Sequence, residues 1–208
     1  MGKAVSVRQD PFNPLAIDSL GLSIYSRMMA GLAVRLDQVP SFGGAGVYAI
    51  YYHGPFTAYA PLTIANRDNA CVPIYVGKAV TPGRRKGTEI KTATQPRPLA
   101  KRLGEHRDSV AAAHNLDVVD FKVRWLVMED LWIPLGESVL IQGHVPIWNS
   151  VVDGFGNHNP GSGRAKSTRS RWDTLHPGRD WATGLGLRTE TPEQIIQEAT
   201  EYLRSRLA

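Results

Sequence analysis

The chain contains one cysteine, Cys71, in 208 residues, which excludes an internal disulfide framework and any multi-cysteine zinc site and suits a reducing cytoplasm. Long apolar runs are also missing. The longest, Val47 to Tyr52, falls far short of the roughly 20 residues that a membrane-spanning helix needs. Met1 to Ser6 lacks the apolar core of a secretory signal, so a cytoplasmic protein is expected. The histidines at 53, 106, 114, 144, 158 and 176 have no two-His helical zinc spacing, and no Gly-x-Ser-x-Gly elbow occurs; hydrolase chemistry of those kinds is unsupported. Gly77-Lys78 has the lysine of a phosphate-binding loop, but Val72 stands in place of its first glycine and Ala79 in place of its Ser or Thr.

What is present is a globular composition, 42% hydrophobic and 21% charged, with chain enough for one core domain carrying elaborations. The formal charge of +5 permits a polyanionic partner without demanding one. Its distribution is more informative. Between positions 84 and 107 stand Arg84, Arg85, Lys86, Lys91, Arg97, Lys101, Arg102 and Arg107 against only Glu89 and Glu105. A second set, Arg164, Lys166, Arg169, Arg171 and Arg179, lies in a Gly, Pro and Ser-rich stretch with Trp172 and Trp181, where flexible backbone can follow a phosphate chain. A solvated basic surface has the same composition.

Residues 15 to 38 read as a helical arm, with Leu20, Ile24, Met28 and Leu32 recurring at helical spacing and Pro40 after its end. The β-branched and aromatic run Val47 to Tyr52 is a strand, with Val47, Ala49 and Tyr51 on one face and Tyr48, Ile50 and Tyr52 on the other. Ile74 to Val76 and Phe121 to Met128 supply two further strands, and the three would form the sheet. Pro98 opens a helix reaching Ala113, with Arg102 and His106 on a face beside the Leu99, Leu103, Val110 stripe. A second helix runs from about Pro134 to His144, where Pro146 disfavours its continuation, and places Glu137, Leu140, Ile141 and His144 on one face. Thr191 and Gln194 form a capping box for a terminal helix. This divides one compact unit into an N-terminal arm (1–42), a core (43–150) with an insertion at about 54–73, and a basic, loop-rich extension with a terminal helix (151–208).

Glu137 is anomalous, because a carboxylate on an apolar stripe loses solvation unless it is paired or binds a cation. One carboxylate plus waters and substrate oxygens is how magnesium is usually held at phosphodiester sites. Tyr48 and Tyr75 taken singly are ordinary strand aromatics, and Arg102 with His106 an ordinary solvated helix face.

Taken jointly, Gly46-Val47-Tyr48, Tyr75-Val76-Gly77, Arg102 and His106 on a helix, Glu137 on a later helix and then Asn149 resemble in order and type the GIY-YIG nuclease family over about residues 43 to 150. Gly154-Phe155-Gly156-Asn157-His158, Trp172-Asp173 and His176-Pro177-Gly178-Arg179 are similar to its type II restriction endonuclease branch. There are three departures. The insertion between the tyrosines is longer than in compact members, both tripeptides have Val for Ile, and His106 stands where many members have tyrosine.

The resemblance implies an α/β (α+β) fold, a small antiparallel three-stranded sheet flanked by helices. It implies site-specific hydrolysis of double-stranded DNA at a short palindrome, GC-rich and with CCGCGG as one expectation. Glu137 would bind one Mg2+ ion per site, with Mn2+ able to substitute, and Arg102 would neutralise phosphate oxygens. Tyr48 would orient or deprotonate the water, with Lys78, Arg102 and His106 as the groups able to assist it. Tyr75 would position water or phosphate, and Asn149 would fix the site. Arg84, Arg85, Lys86, Arg164, Lys166, Arg169 and Arg171 are candidate DNA contacts. A palindrome implies a homodimer on DNA, and a restriction enzyme implies a methyltransferase that protects host DNA. A homing or repair nuclease would use the same core, and a noncatalytic nucleic-acid-binding module would keep the fold without the chemistry.

Overall fold

The computed structural model describes residues 16–81, 96–159 and 167–207. Its centre is β2 (Gly46–Tyr52), in which every residue is buried. Tyr48, Ile50 and Tyr52 enter the larger apolar cluster, and Val47, Ala49 and Tyr51 enter a smaller one on the opposite side. A strand that is apolar on both faces must lie inside a sheet covered twice. Accordingly β2 pairs antiparallel with β3 (Tyr75–Ala79) on one side and β4 (Phe121–Val127) on the other.

The sheet has four strands rather than the three expected, in the order β1-β4-β2-β3, the addition being β1 (Val34–Arg35) paired with Val123 and Lys122 of β4. It comes from the arm read as one helix over 15–38. The arm instead folds as α1 (Ile17–Met29), turns at Ala30 and Gly31, and delivers β-branched Val34 to the open edge of β4, where the strand satisfies main-chain groups that a continued helix would leave unpaired. Buried Arg124 of β4 secures this junction. Its Nε donates to the Gly31 carbonyl at 2.9 Å, another nitrogen donates to the Asn69 side chain at 2.8 Å and the third to the Ala70 carbonyl.

The insertion belongs to the core. A 3-10 turn over Thr57–Tyr59 and α2 (Ala60–Ala65) bury Ala58, Tyr59 and Leu62. Asn66, fully buried, closes it with four bonds, accepting from the N–H groups of Cys71 and Val72 and donating to the carbonyls of Tyr52 and Val72.

Beyond β3 come α3 (Pro98–Ala112), α4 (Ile133–His144) and α5 (Ile147–Ser150). Helix α4 stops where Pro146 requires, with Val145 turned into the left-handed region at φ 41° and its carbonyl accepting from Tyr202 at 2.6 Å. The extension contributes α6 (Arg171–Leu175), α7 (Asp180–Thr183) and α8 (Pro192–Leu207). Thr191 and Gln194 cap α8 reciprocally, each side chain accepting from the other's main-chain N–H at 3.3 and 2.8 Å. A buried polar chain joins extension to core: Trp148 Nε1 donates to the Tyr59 hydroxyl (2.8 Å), which donates to His176 Nε2 (2.8 Å), whose Nδ1 donates to Asn115 (2.9 Å). Burial lowers the His176 pKa to about 3, leaving its ring neutral.

No helix among the described residues is long and apolar enough to cross a membrane.

Candidate active site

The antiparallel register of β2 and β3 sets Tyr48 opposite Gly77 and Ile50 opposite Tyr75. Residues two apart share a face, so both tyrosines project to the side that α3 covers. Gly77 is required by space. A Cβ there would stand 2.4 Å from the Tyr48 hydroxyl and 3.0 Å from the Tyr75 ring. The two rings consequently lie 6.2 Å apart, centroid to centroid.

From α3, His106 enters between them. The sequence places it beside the apolar stripe; in the structure it is part of the stripe, with 1% of its surface exposed. Its ring lies 5.3 Å from each tyrosine ring and stacks on Phe155 at 4.5 Å and 19°. Burial, reinforced by the positive charge of Arg102, holds its pKa well below the ordinary histidine value. The neutral ring accepts the Tyr48 proton at Nε2 over 2.5 Å. Burial likewise raises the Tyr48 and Tyr75 pKa values; the charge of the other tyrosine adds to the rise at Tyr48, and Arg102 opposes the rise at both. Both hydroxyls are therefore protonated at neutral pH.

Arg102, one turn before His106, reaches toward the same point from the rim. Nη1 donates to Glu105 at 3.0 Å and meets His158, and Nη2 donates to the Gly156 carbonyl at 2.7 Å. Beside it a cleft of ≈ 690 Å³ opens between the end of β3 and the start of α3, with Arg97, Lys101, Glu105 and His158 among its walls.

Glu137 arrives from α4, across β3. Its carboxylate pairs with Lys78 Nζ at 2.6 Å, which resolves the anomaly of an acid on an apolar stripe without requiring a metal. It remains within electrostatic reach of the tyrosines, because its negative charge adds to the upward shift of both. Asn149, on α5, binds the outer edge of β3. Its Oδ1 accepts from the Val76 N–H and its Nδ2 donates to the Val76 carbonyl, both at 2.8 Å. The edge strand that carries Tyr75, Gly77 and Lys78 is thus held by a side chain standing in for a further strand.

Tyr48, Tyr75, Arg102 and His106 meet directly, Glu137 and Lys78 stand behind β3, and Asn149 fixes that strand. The DNA contacts expected from charge divide differently. Arg84, Arg85, Lys86, Arg164 and Lys166 lie outside the described residues. Arg169 donates to the carbonyls of Ala182 and Thr183, both at 2.9 Å. Arg171 donates to Val151 at 2.6 Å and pairs with Glu190 and Glu198. These guanidinium groups hold the extension together through the Nε and Nη2 of Arg169 and both Nη atoms of Arg171. Sequence reasoning missed the positions of Phe155 and Gly156. A Cβ at Gly156 would lie 2.6 Å from the Tyr75 hydroxyl and 3.3 Å from Arg102 Nη2, yet the aperiodic stretch after Asp153 gives no local sign of such contact.

With this geometry in view, comparison with known families is decisive: the sequence model described as the Eco29kI GIY-YIG domain matches residues 40–203. The chain belongs to that family. It is a type II restriction endonuclease GIY-YIG family, and the tyrosine tripeptides, α3, α4 and most of the extension fall within the matched residues. Comparison with curated proteins gives no match.

Among the described residues no group of three or more His, Cys, Asp or Glu side chains is placed to hold a metal ion. A single part-exposed carboxylate nevertheless suits magnesium, which keeps several waters and takes other ligands from phosphate, provided that Glu137 exchanges Lys78 for the ion. Glu137 is the residue that would hold it.

Proposed function

We propose that this protein is a type II restriction endonuclease that hydrolyses phosphodiester bonds of double-stranded DNA at a short palindrome, GC-rich and with CCGCGG as the sequence to test first. It acts as a homodimer on DNA, each site serving one strand, alongside a methyltransferase that protects host DNA. The observation that carries the reading is the buried Tyr48–His106 hydrogen bond with the Arg102 guanidinium at its rim.

Phosphodiester hydrolysis needs an oriented water, charge neutralisation on the phosphate and help for the departing sugar oxygen. Tyr48 donates a hydrogen bond to neutral His106, which leaves the lone pairs of the phenolic oxygen to accept from a water. The pairing fixes that oxygen's direction. As the water attacks phosphorus its proton passes toward the Tyr48–His106 pair, while Arg102 exchanges Glu105 for the non-bridging phosphate oxygens. Tyr75, on the same face, orders the water and phosphate. When bound at Glu137, a magnesium ion supplies further positive charge for the phosphate and the departing oxygen. Arg97 and Lys101 line the cleft along which the DNA backbone approaches.

The test is incubation with a panel of sequenced plasmid and phage DNAs, with magnesium or with a chelator. Discrete, metal-dependent fragments with common ends are expected. Glu137→Ala should abolish cutting and retain binding in a gel shift; cutting at the parent rate would remove Glu137 from the site. Mass measurement on a cognate duplex should give two chains per DNA.

A further inference from the structure

Arg179, in the extension, is 4% exposed and pairs with equally buried Asp173 at 2.7 Å. Its remaining donors all meet one short turn: Nη1 donates to the carbonyls of Phe155 (3.0 Å) and Asn157 (3.3 Å), and Nη2 to that of Gly154 (3.0 Å). Trp172 and Trp181 lie against the guanidinium at 4.4 and 4.6 Å.

The turn so held is the one that touches the site. Phe155 stacks on His106 and meets Tyr75 edge-on at 5.0 Å, and the Gly156 carbonyl accepts a hydrogen bond from Arg102 Nη2. Burying an ion pair is a poor source of stability, since apolar residues of similar volume often serve as well or better. What a guanidinium offers is direction, because its planar fork fixes several acceptors relative to one another.

We propose that Arg179 is a positioning residue for hydrolysis: by clamping the 154–157 turn it sets the direction of Arg102 and the seat of His106. The proposal rests on the reading of this site as the phosphodiesterase centre. Arg179 touches no substrate; it acts through the Gly156 carbonyl and the Phe155 ring. Lysine retains the charge but cannot fork to the same carbonyls.

The experiment compares the parent, Arg179→Lys and Arg124→Lys in magnesium-dependent plasmid cleavage, each well below its own melting temperature, with DNA binding measured by gel shift without divalent ion. Arg124 is the control, an equally buried arginine bonded to carbonyls at the β1 junction. For Arg179→Lys, kcat should fall by about tenfold or more, toward the ~100-fold that a 1 Å misplacement costs, with KM and DNA binding little changed. Its His106 imidazole signals in the NMR spectrum should also move. Arg124→Lys should lower the melting temperature and leave kcat unchanged. Should Arg179→Lys fail to fold, Asp173→Asn, which weakens the clamp from its other end, takes the same measurements with the same expectation.

A folded Arg179 or Asp173 variant with parental kcat overturns the proposal, as does an equal kcat loss in Arg124→Lys. If the parent itself cuts no DNA, the underlying reading of the site fails and the proposal with it. A parent that cuts beside variants that cut equally well removes the positioning role alone.

Discussion

The Tyr48 hydroxyl and the His106 ring each hold the other's state. Burial opposes charge on both, so the proton rests on Tyr48 and points at Nε2. Tyr48→Phe removes the oxygen that accepts from water while keeping the ring's packing. Cleavage should fall by about 10²–10⁴-fold, the usual contribution of a positioned proton-transfer group, with a stability loss of about 1–3 kcal/mol for the buried His106 nitrogen left without its partner. Single-turnover cleavage and a thermal melt check the two halves. At this scale the residue types were legible before folding, and their states were not. His106 reads as a rim residue beside its stripe because helical periodicity gives angular position to within a neighbouring column. Its burial is set by Phe155, more than forty positions away. Glu137 reads as an acid in need of a cation, and the structure answers with Lys78.

Elements place these residues, and β3 is the least supported of them, an edge strand of five residues that carries Tyr75, Gly77 and Lys78. Asn149 covers its outer edge with two hydrogen bonds to Val76. Asn149→Ala should cost about 1–3 kcal/mol for main-chain groups left unsatisfied, and cleavage should drop with it as the strand loses its fixed height. Urea unfolding beside kcat tests this; full activity at unchanged stability would leave Asn149 without the strand-fixing role. Thr191→Ala is the contrasting case. It removes one half of the α8 capping box, should cost about 1 kcal/mol, and should leave cleavage at saturating DNA unchanged. The helix starts and stops were legible because Pro98, Pro146 and the Thr191–Gln194 pair act locally. The fourth strand was not. Two residues carry too short a pattern to read, and Val34–Arg35 is a strand only because β4 offers it an edge.

Across the whole molecule, two neutral histidines are buried in joints between core and extension, His106 against Phe155 and His176 against Tyr59 and Asn115. The folded pKa of both is depressed below that of the unfolded chain. Their contribution to stability is therefore complete above about pH 6.5, the ordinary histidine value, and is lost as pH falls toward the folded pKa, about 3 for His176. Below neutrality the unfolded chain binds protons that the folded one refuses, at up to roughly 1 kcal/mol per pH unit for each ring. Urea midpoints should thus fall between pH 7.5 and 5, before most carboxylates titrate, and His176→Gln should reduce that fall. An undiminished fall in the variant would place its origin elsewhere.

The amino-acid sequence by itself determined the central strand, the main helices and the kinds of side chain that make the site, because apolar periodicity, β-branching, proline and capping residues act within a few positions. The tertiary structure decided the partners: Lys78 for Glu137, the Val76 main chain for Asn149, the interior of the extension for Arg169 and Arg171, and the Arg179-held turn for Arg102 and His106. Such pairings join residues tens of positions apart, and they depend on which surfaces meet when both faces of one sheet are covered, a geometry that no local pattern carries.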